Sequence, residues 1–141
     1  MIVRCTQIIS PTSGKVVSDH PGIRIGAEYP VLEVITTTRQ VLLRLPERPD
    51  VLAERDSPAL WDAAMFSVLS SRMPDCWVAG LDDGQLTLAP KEWQRAGFWD
   101  DYFDGELSAG VEYERLRAEI MSQEGWPIGA NNRGHEAAGD L

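Results

Sequence analysis

The chain has 141 residues and a formal net charge of −9, from 22 acidic and 13 basic side chains. Its length fits one domain with a short extension, and a hydrophobic fraction of 43% is enough for a packed core. The acidic balance argues against direct binding to nucleic acid or to an anionic membrane surface, because both would repel it. No apolar run approaches the roughly 20 residues that span a bilayer.

Cysteine usage and the first residues of the chain point to a reducing compartment. Cys5 and Cys76 are too few for a disulfide framework and lack metal-ligand spacing, so we expect two free thiols. Residues 1–6 show no basic segment followed by an apolar stretch, as a secretory signal would. These features predict a cytoplasmic protein.

The first half of the chain has the pattern of short strands joined by turns. β-branched and other apolar residues recur in four runs that we predict to be strands: residues 2–9, 28–35, 41–45 and 66–69. Pro30 suits an edge strand, because proline cannot donate a ladder hydrogen bond. In the run 66–69 the alternation places Phe66 and Val68 inward. Residues 62–65, just before it, are predicted to form a helical turn. Residues 46–58, rich in proline and charge, are predicted to be a surface loop.

The second half begins with the clearest hairpin pattern. Apolar residues alternate on both sides of a turn, which places Trp77 and Leu81 on the core side opposite Leu86. The turn is predicted to be a four-residue loop over residues 82–85, in which glycine supplies a positive φ.

One long helix is predicted over residues 107–124. Apolar residues share one face at i, i+4, i+7 and i+11: Ala109, Tyr113, Leu116 and Ile120. Gly125 is placed to end the helix, and either Asp104 or Ser108 is placed to cap its start.

These elements predict an α+β protein that is mainly antiparallel β, with a hairpin extension and one C-terminal helix. Residues 1–125 form a single domain, with a β part over 1–73 and an acidic, aromatic hairpin-plus-helix part over 74–125. Residues 126–141 are mostly polar and small, which predicts a disordered tail.

The net charge lies entirely in the second half. Residues 1–73 hold eight acids and eight bases, whereas residues 74–141 hold fourteen acids and five bases. Acids mixed with large aromatics can steer a basic protein inward and hold it through buried rings. On this basis eight side chains are candidates for binding a partner: Asp82, Asp83, Trp99, Asp100, Asp101, Tyr102, Asp104 and Glu106.

A simpler interpretation of the same segment is a solvated acidic surface around an ordinary core. In that case Trp93 and Trp99 pack the C-terminal segment onto the sheet, which is the role we favour for both. The alternative is that they are exposed anchors for a partner.

No catalytic or cofactor motif is found. His20 and His135 follow no nucleophile-elbow or metal-ligand spacing, and neither a dinucleotide-binding nor a phosphate-binding glycine loop is present. Residues 100–105 are similar to the start of an EF-hand loop, but Tyr102 and Val111 occupy positions that need oxygen ligands. We therefore predict no metal, no cofactor and no enzymatic activity.

Two parts of the chain resemble bacterial families. Residues 25–32, with the cadence Ile-Gly-x-x-Tyr-x-Val-Leu, resemble small SH3-like domains, together with residues 58–62 and 66–70. Residues 97–105, Gly-Phe-Trp-Asp-Asp-Tyr-Phe-Asp-Gly, together with residues 73–78 and 90–93, resemble small acidic immunity proteins of polymorphic toxin systems, including contact-dependent growth inhibition.

The resemblance spans roughly residues 5–124. It implies an SH3-like barrel or a curled antiparallel sheet in the first part. It also implies a protein that binds and neutralises a cognate, basic, nuclease-type toxin domain. We expect the free protein to be a monomer.

Two other classes of function remain open. An adaptor would bind a peptide or a subunit through an exposed aromatic groove in residues 23–73. An enzyme would use clustered carboxylates around a divalent metal, with these candidates: Asp82, Asp83, Asp100, Asp101 and Asp104.

Overall fold

The computed structural model describes residues 1–50 and 55–126. Within them the strands are β1 Ile2–Cys5, β2 Ile8–Ile9, β3 Val16–Val17, β4 Glu28–Pro30, β5 Glu33–Thr36, β6 Val41–Leu45, β7 Ala59–Asp62, β8 Phe66–Ser70, β9 Trp77–Asp82 and β10 Gln85–Pro90. The helices are α1 Phe98–Phe103 and α2 Leu107–Gln123, and Ala63–Met65 and Lys91–Gln94 form 3₁₀ turns. No helix in these ranges is long and apolar enough to cross a bilayer.

The strands form three antiparallel sheets. The largest has the order β7-β6-β5-β10-β9, the second has the order β4-β1-β8, and β2 pairs with β3. The predicted α+β class with mainly antiparallel pairing is confirmed. Two arrangements were expected, an SH3-like barrel or a curled sheet. The described strands form open sheets and no closed barrel, which agrees with the curled sheet.

The run predicted as one strand at residues 28–35 is two strands in two sheets. β4 pairs with β1, whereas β5 pairs with β6 and β10. Between them Val31 and Leu32 are fully buried, and the Leu32 carbonyl accepts the Trp77 indole N–H at 3.0 Å. The chain thus passes from one sheet to the other inside the core, where both segments are apolar. Pro30 lies in an edge strand, as predicted.

The burial predicted for Val68 is wrong. Val68 is exposed, whereas Phe66 packs against the core. Phe66 and Val68 pair regularly with Cys5 and Val3 and so share one side of β8, and the register shift in the pairing with β1 comes only after Val68. Val68 is exposed because β8 is an edge strand that the core does not fully cover. The helical turn predicted just before β8 is confirmed as Ala63–Met65.

β9 and β10 form the predicted hairpin, but its turn is tighter than expected. The ladder continues up to Asp82 and Gln85, so only Asp83 and Gly84 form the loop. Their φ angles of +48° and +75° suit a type I′ turn, whose twist matches that of the strands. Leu81, predicted on the core side, is 77% exposed, because only the base of the hairpin reaches the core.

α2 confirms the predicted helix and its buried face. The four apolar positions of that face are all buried: Ala109, Tyr113, Leu116 and Ile120. Gly125 has a φ of +66° and donates to the Ser122 carbonyl, which ends the helix as predicted. The predicted N-terminal caps are wrong, because Glu106 occupies the cap position and no side chain caps the helix, so neither Asp104 nor Ser108 does.

Both cysteines are free thiols, as predicted. Burial raises the pKa of Cys5 above its ordinary value and that of Cys76 to about 11. Both thiols are therefore protonated at neutral pH and are weak nucleophiles.

The predicted tail begins at Trp126, whose indole N–H donates to the Pro49 carbonyl at 2.8 Å. The rest of that tail, residues 127–141, lies outside the described residues.

Replacing Leu116 with alanine should lower the free energy of unfolding by about 2–5 kcal/mol, because the buried side chain leaves a cavity. Leu107→Ala on the same helix is the matched control. Leu107 is 82% exposed, so its loss should change stability by no more than about 0.5 kcal/mol. Urea unfolding of both variants tests the docking of α2, and equal effects would contradict it.

Candidate functional site

A buried ion pair lies at the centre of the five-stranded sheet. Glu33 and Arg44 pair in register on β5 and β6, and the Arg44 Nε donates to Glu33 Oε2 at 2.6 Å. The Arg44 Nη1 donates to the Pro58 carbonyl at 3.1 Å. The Arg44 Cζ lies 3.8 Å from the centroid of the Trp99 ring, a cation–π contact. Burial raises the pKa of Glu33, and Arg44 partly opposes that shift.

Trp99 belongs to an aromatic cluster that joins the helices to the sheet. Its members are contributed by the second 3₁₀ turn, α1 and α2: Trp93, Phe98, Trp99, Tyr102, Phe103 and Tyr113. Ring centroids of neighbouring members lie between 4.6 Å (Tyr102–Tyr113) and 6.4 Å (Trp93–Phe98) apart. The expectation that Trp93 and Trp99 pack this segment onto the sheet is confirmed.

A second buried charge cluster, which was not predicted, joins Glu47 and Asp56 to α2. Asp56 is buried, and its side chain accepts hydrogen bonds from the Tyr113 hydroxyl and, at 2.9 Å, from the Glu47 backbone N–H. The Arg117 Nε lies 3.5 Å from the same carboxylate. The Tyr102 hydroxyl donates to the Asp56 carbonyl. The cluster therefore fixes Asp56 against both helices.

This cluster corrects the interpretation of residues 46–58 as a surface loop, because Asp56 is in the core. Arg117 gave a usable signal, since it follows Tyr113 by four residues and so lies on the buried face of α2. Asp56 gave none, because a single acid in a polar segment shows no periodicity.

The environment of the tyrosines makes stability depend on pH in the alkaline range. Burial, followed by the Asp56 charge, raises the pKa of Tyr102 to about 12 and that of Tyr113 well above its ordinary value. In an unfolded chain both would ionise near pH 10. The folded state therefore holds more protons in this window.

We expect the free energy of unfolding to fall as the pH rises from about 10 to about 12, because only the unfolded state loses tyrosine protons there. Tyr113→Phe removes one of these protons and should reduce the slope. Urea unfolding of both proteins at about pH 8 and about pH 11 measures the difference. An equal slope in the two proteins would contradict the assignment.

The two aromatic candidates for partner binding are part of the core. Tyr102 is buried, and Trp99 is partly buried against the core with Arg44 on its face. Their side chains therefore pack beneath the protein surface and are not exposed contacts for a partner.

The six acidic candidates lie in two separate regions of the structure. Asp82 and Asp83 are exposed at the tip of the β9–β10 hairpin. The other four lie on α1 and on the turn into α2: Asp100, Asp101, Asp104 and Glu106. Of these, Asp101 is half-buried and pairs with Arg95 at 3.0 Å, which reduces its field.

Exposed apolar side chains accompany the second group of acids. Phe103 is 54% exposed, Leu107 82% and Val111 62%. We use the name acid–apolar surface for the exposed residues of this region: Asp100, Phe103, Asp104, Glu106, Leu107 and Val111. The apolar members of this surface were not predicted, although Leu107 and Val111 are spaced i, i+4 on a second face of α2.

The described residues contain no group of three or more His, Cys, Asp or Glu side chains arranged to hold a metal ion. The EF-hand-like stretch is instead the end of α1 and the turn that follows it. His20 Nδ1 accepts from the Gly22 N–H at 2.9 Å, and its ring lies edge-on to Trp61 with centroids 5.1 Å apart. His20 thus organises its own loop, and His135 lies outside the described residues.

Comparison with protein-family models, with curated proteins and with solved structures finds no match to this chain. Function is therefore inferred from the chain's own residues and surfaces.

Proposed function

We propose that this protein is a cytoplasmic immunity protein that binds and neutralises a cognate, basic, nuclease-type toxin domain. The supporting observation is the acid–apolar surface, where exposed carboxylates adjoin exposed apolar side chains. The resemblance of residues 97–105 to small acidic immunity proteins suggests the class of partner.

Charge would act first in this binding. A nuclease domain presents a basic surface to the phosphates of its substrate. The carboxylates of Asp100, Asp104 and Glu106, on a protein of net charge −9, would attract that surface over a distance of about 8–10 Å at physiological salt. Occupation of the basic surface by these acids would exclude the phosphate backbone.

Apolar contact would then hold the complex together. Phe103 and Leu107 expose apolar surface that a partner can remove from water, and phenylalanine is enriched in the buried centres of protein interfaces. The Phe103 ring lies 5.3 Å from the Tyr102 ring and 5.9 Å from the Trp99 ring, centroid to centroid. Because these neighbours are fixed in the core, Phe103 should lose little conformational freedom on binding.

The other two classes have less support. An adaptor was expected to show an exposed aromatic groove in residues 23–73, but Tyr29 and Trp61 are buried and Phe66 is half-buried. The carboxylates considered for an enzyme are divided between the hairpin tip and the α1 region.

Replacing Asp100, Asp104 and Glu106 together by their amides should slow association with the toxin domain by about tenfold or more and weaken its salt dependence. A matched control removes three exposed acids from the neutral half: Asp19, Glu28 and Asp50. It removes the same charge and should leave the association rate closer to that of the wild type. Stopped-flow association at two salt concentrations, with a catalytically inactive toxin domain from the neighbouring gene, makes the comparison.

Phe103→Ala should instead accelerate dissociation, with a loss of about 2 kcal/mol in binding free energy. Val68→Ala, an exposed apolar residue on β8, is the control and should leave dissociation unchanged. If the toxin domain does not bind the wild-type protein, the proposed function is wrong. If it binds and Phe103→Ala behaves like the control, the acid–apolar surface is not the contact.

A further inference from the structure

β9 is an outer strand of the five-stranded sheet. Its inner edge pairs with β10 along all six residues, Trp77–Asp82, without a bulge. Among the described residues no strand pairs with its outer edge. An outer edge presents unpaired N–H and C=O groups, on which another extended chain can add a strand.

The hairpin geometry identifies the groups that point outward. In a two-residue hairpin the residues that flank the loop bond to each other, and bonded pairs then alternate along the ladder. Asp82, Gly80 and Val78 therefore bond to β10, while Leu81 and Ala79 direct their backbone N–H and C=O groups away from it. Proline at position 90 agrees with this register, since it stands opposite Trp77 at a non-bonded pair and has no N–H to donate.

The outer edge of β9 is continuous with an exposed apolar row. Four residues pair in register across β9, β10, β5 and β6 and so share one face: Leu81, Leu86, Thr36 and Val41. Leu81, Leu86 and Val41 are all exposed. A strand added beside β9 would extend this row by one more side chain.

The other outer strands of the two larger sheets carry features that discourage such pairing. β4 ends in Pro30, β7 directly follows Pro58, and β8 is interrupted by a bulge. Proline and bulges are the usual means by which proteins protect sheet edges. β9 contains neither of them and no lysine.

β9 is also held in place from the opposite face. The Gln94 amide nitrogen donates to the Val78 and Ala89 carbonyls, each at 2.9 Å, and so links β9 to β10. Gly80 leaves room for this contact, because a Cβ there would lie 1.9 Å from the Gln94 Oε1. A pre-ordered edge needs little further ordering when a segment binds.

The charges near β9 determine which kind of polypeptide segment can pair with its outer edge. Exposed acids stand near both ends of the edge, with Asp75 before β9 and Asp82 and Asp83 at the hairpin tip. A second copy of this chain would bring the same acids and a net charge of −9, so pairing between copies is opposed. A segment with basic residues about 20 Å apart, at its two ends, would complement them.

We propose that the outer edge of β9 binds an extended polypeptide segment with basic residues at both ends and apolar residues at alternate positions. The apolar residues contact the row that includes Leu81. This inference does not depend on the toxin proposal, because it rests on the sheet edge and not on the acid–apolar surface.

The test is an NMR titration of the full, ¹⁵N-labelled chain with the synthetic peptide Lys-Lys-Val-Thr-Val-Thr-Lys-Lys. Saturable shifts are expected at the Leu81 and Ala79 amides. The same peptide with glutamate in place of lysine should bind about tenfold more weakly, because several exposed charge pairs become repulsive.

Ala79→Pro removes an outward N–H without removing a bond to β10, so it should abolish the shift at Leu81. Ala79→Val keeps that N–H and is the matched control. Should the proline variant disturb the spectrum of the free protein, Leu81→Lys provides a second test and should weaken binding of the lysine peptide.

Three results would overturn the proposal. The first is the absence of a shift at Ala79 and Leu81 with the lysine peptide. The second is equal affinity for the lysine and glutamate peptides. The third is a concentration-dependent change at β9 without peptide, which would assign this edge to a second copy of the chain.

Discussion

A guanidinium group buried between a carboxylate and an indole ring organises the second half of this protein. Arg44 is out of contact with bulk water, so it needs both the Glu33 carboxylate and the face of Trp99. A buried charge is tolerated only when its partners are in place. Trp99 is therefore held against the sheet, and α1 is held with it. Asp100 and Phe103, which flank Trp99 on α1, remain exposed.

The Asp56 cluster completes this arrangement from the other side. Its carboxylate holds Tyr113 and Arg117 of α2, and its backbone carbonyl holds Tyr102 of α1. Both helices are thus fixed relative to one segment of the chain. The acid–apolar surface lies where these two helices meet, so its shape is set by polar contacts in the core and not by the surface residues themselves.

The sequence allowed prediction of elements whose signal is local. α2 was predicted because its buried positions recur with the helical period, and the hairpin because apolar residues alternate on both sides of a loop that contains glycine. Val68 was placed wrongly because alternation alone does not show that β8 is an edge strand, where an apolar side chain can stay exposed. Trp99 was kept as a candidate anchor for a partner because its contact with Arg44 could not be predicted. The two residues are 55 positions apart, and no local sequence pattern indicates a contact over that separation. Asp56 escaped notice for the same reason.

The contact between Arg44 and Glu33 gives the most direct test of this account. Arg44→Met alone should lower the free energy of unfolding by about 3–5 kcal/mol, because it leaves Glu33 buried without its partner. Adding Glu33→Gln should restore part of that loss, with a coupling energy of about 1–3 kcal/mol between the two positions. Urea unfolding of the wild type, both single variants and the double variant measures this coupling. Strictly additive losses would contradict the account, because they would mean that the two side chains do not depend on each other.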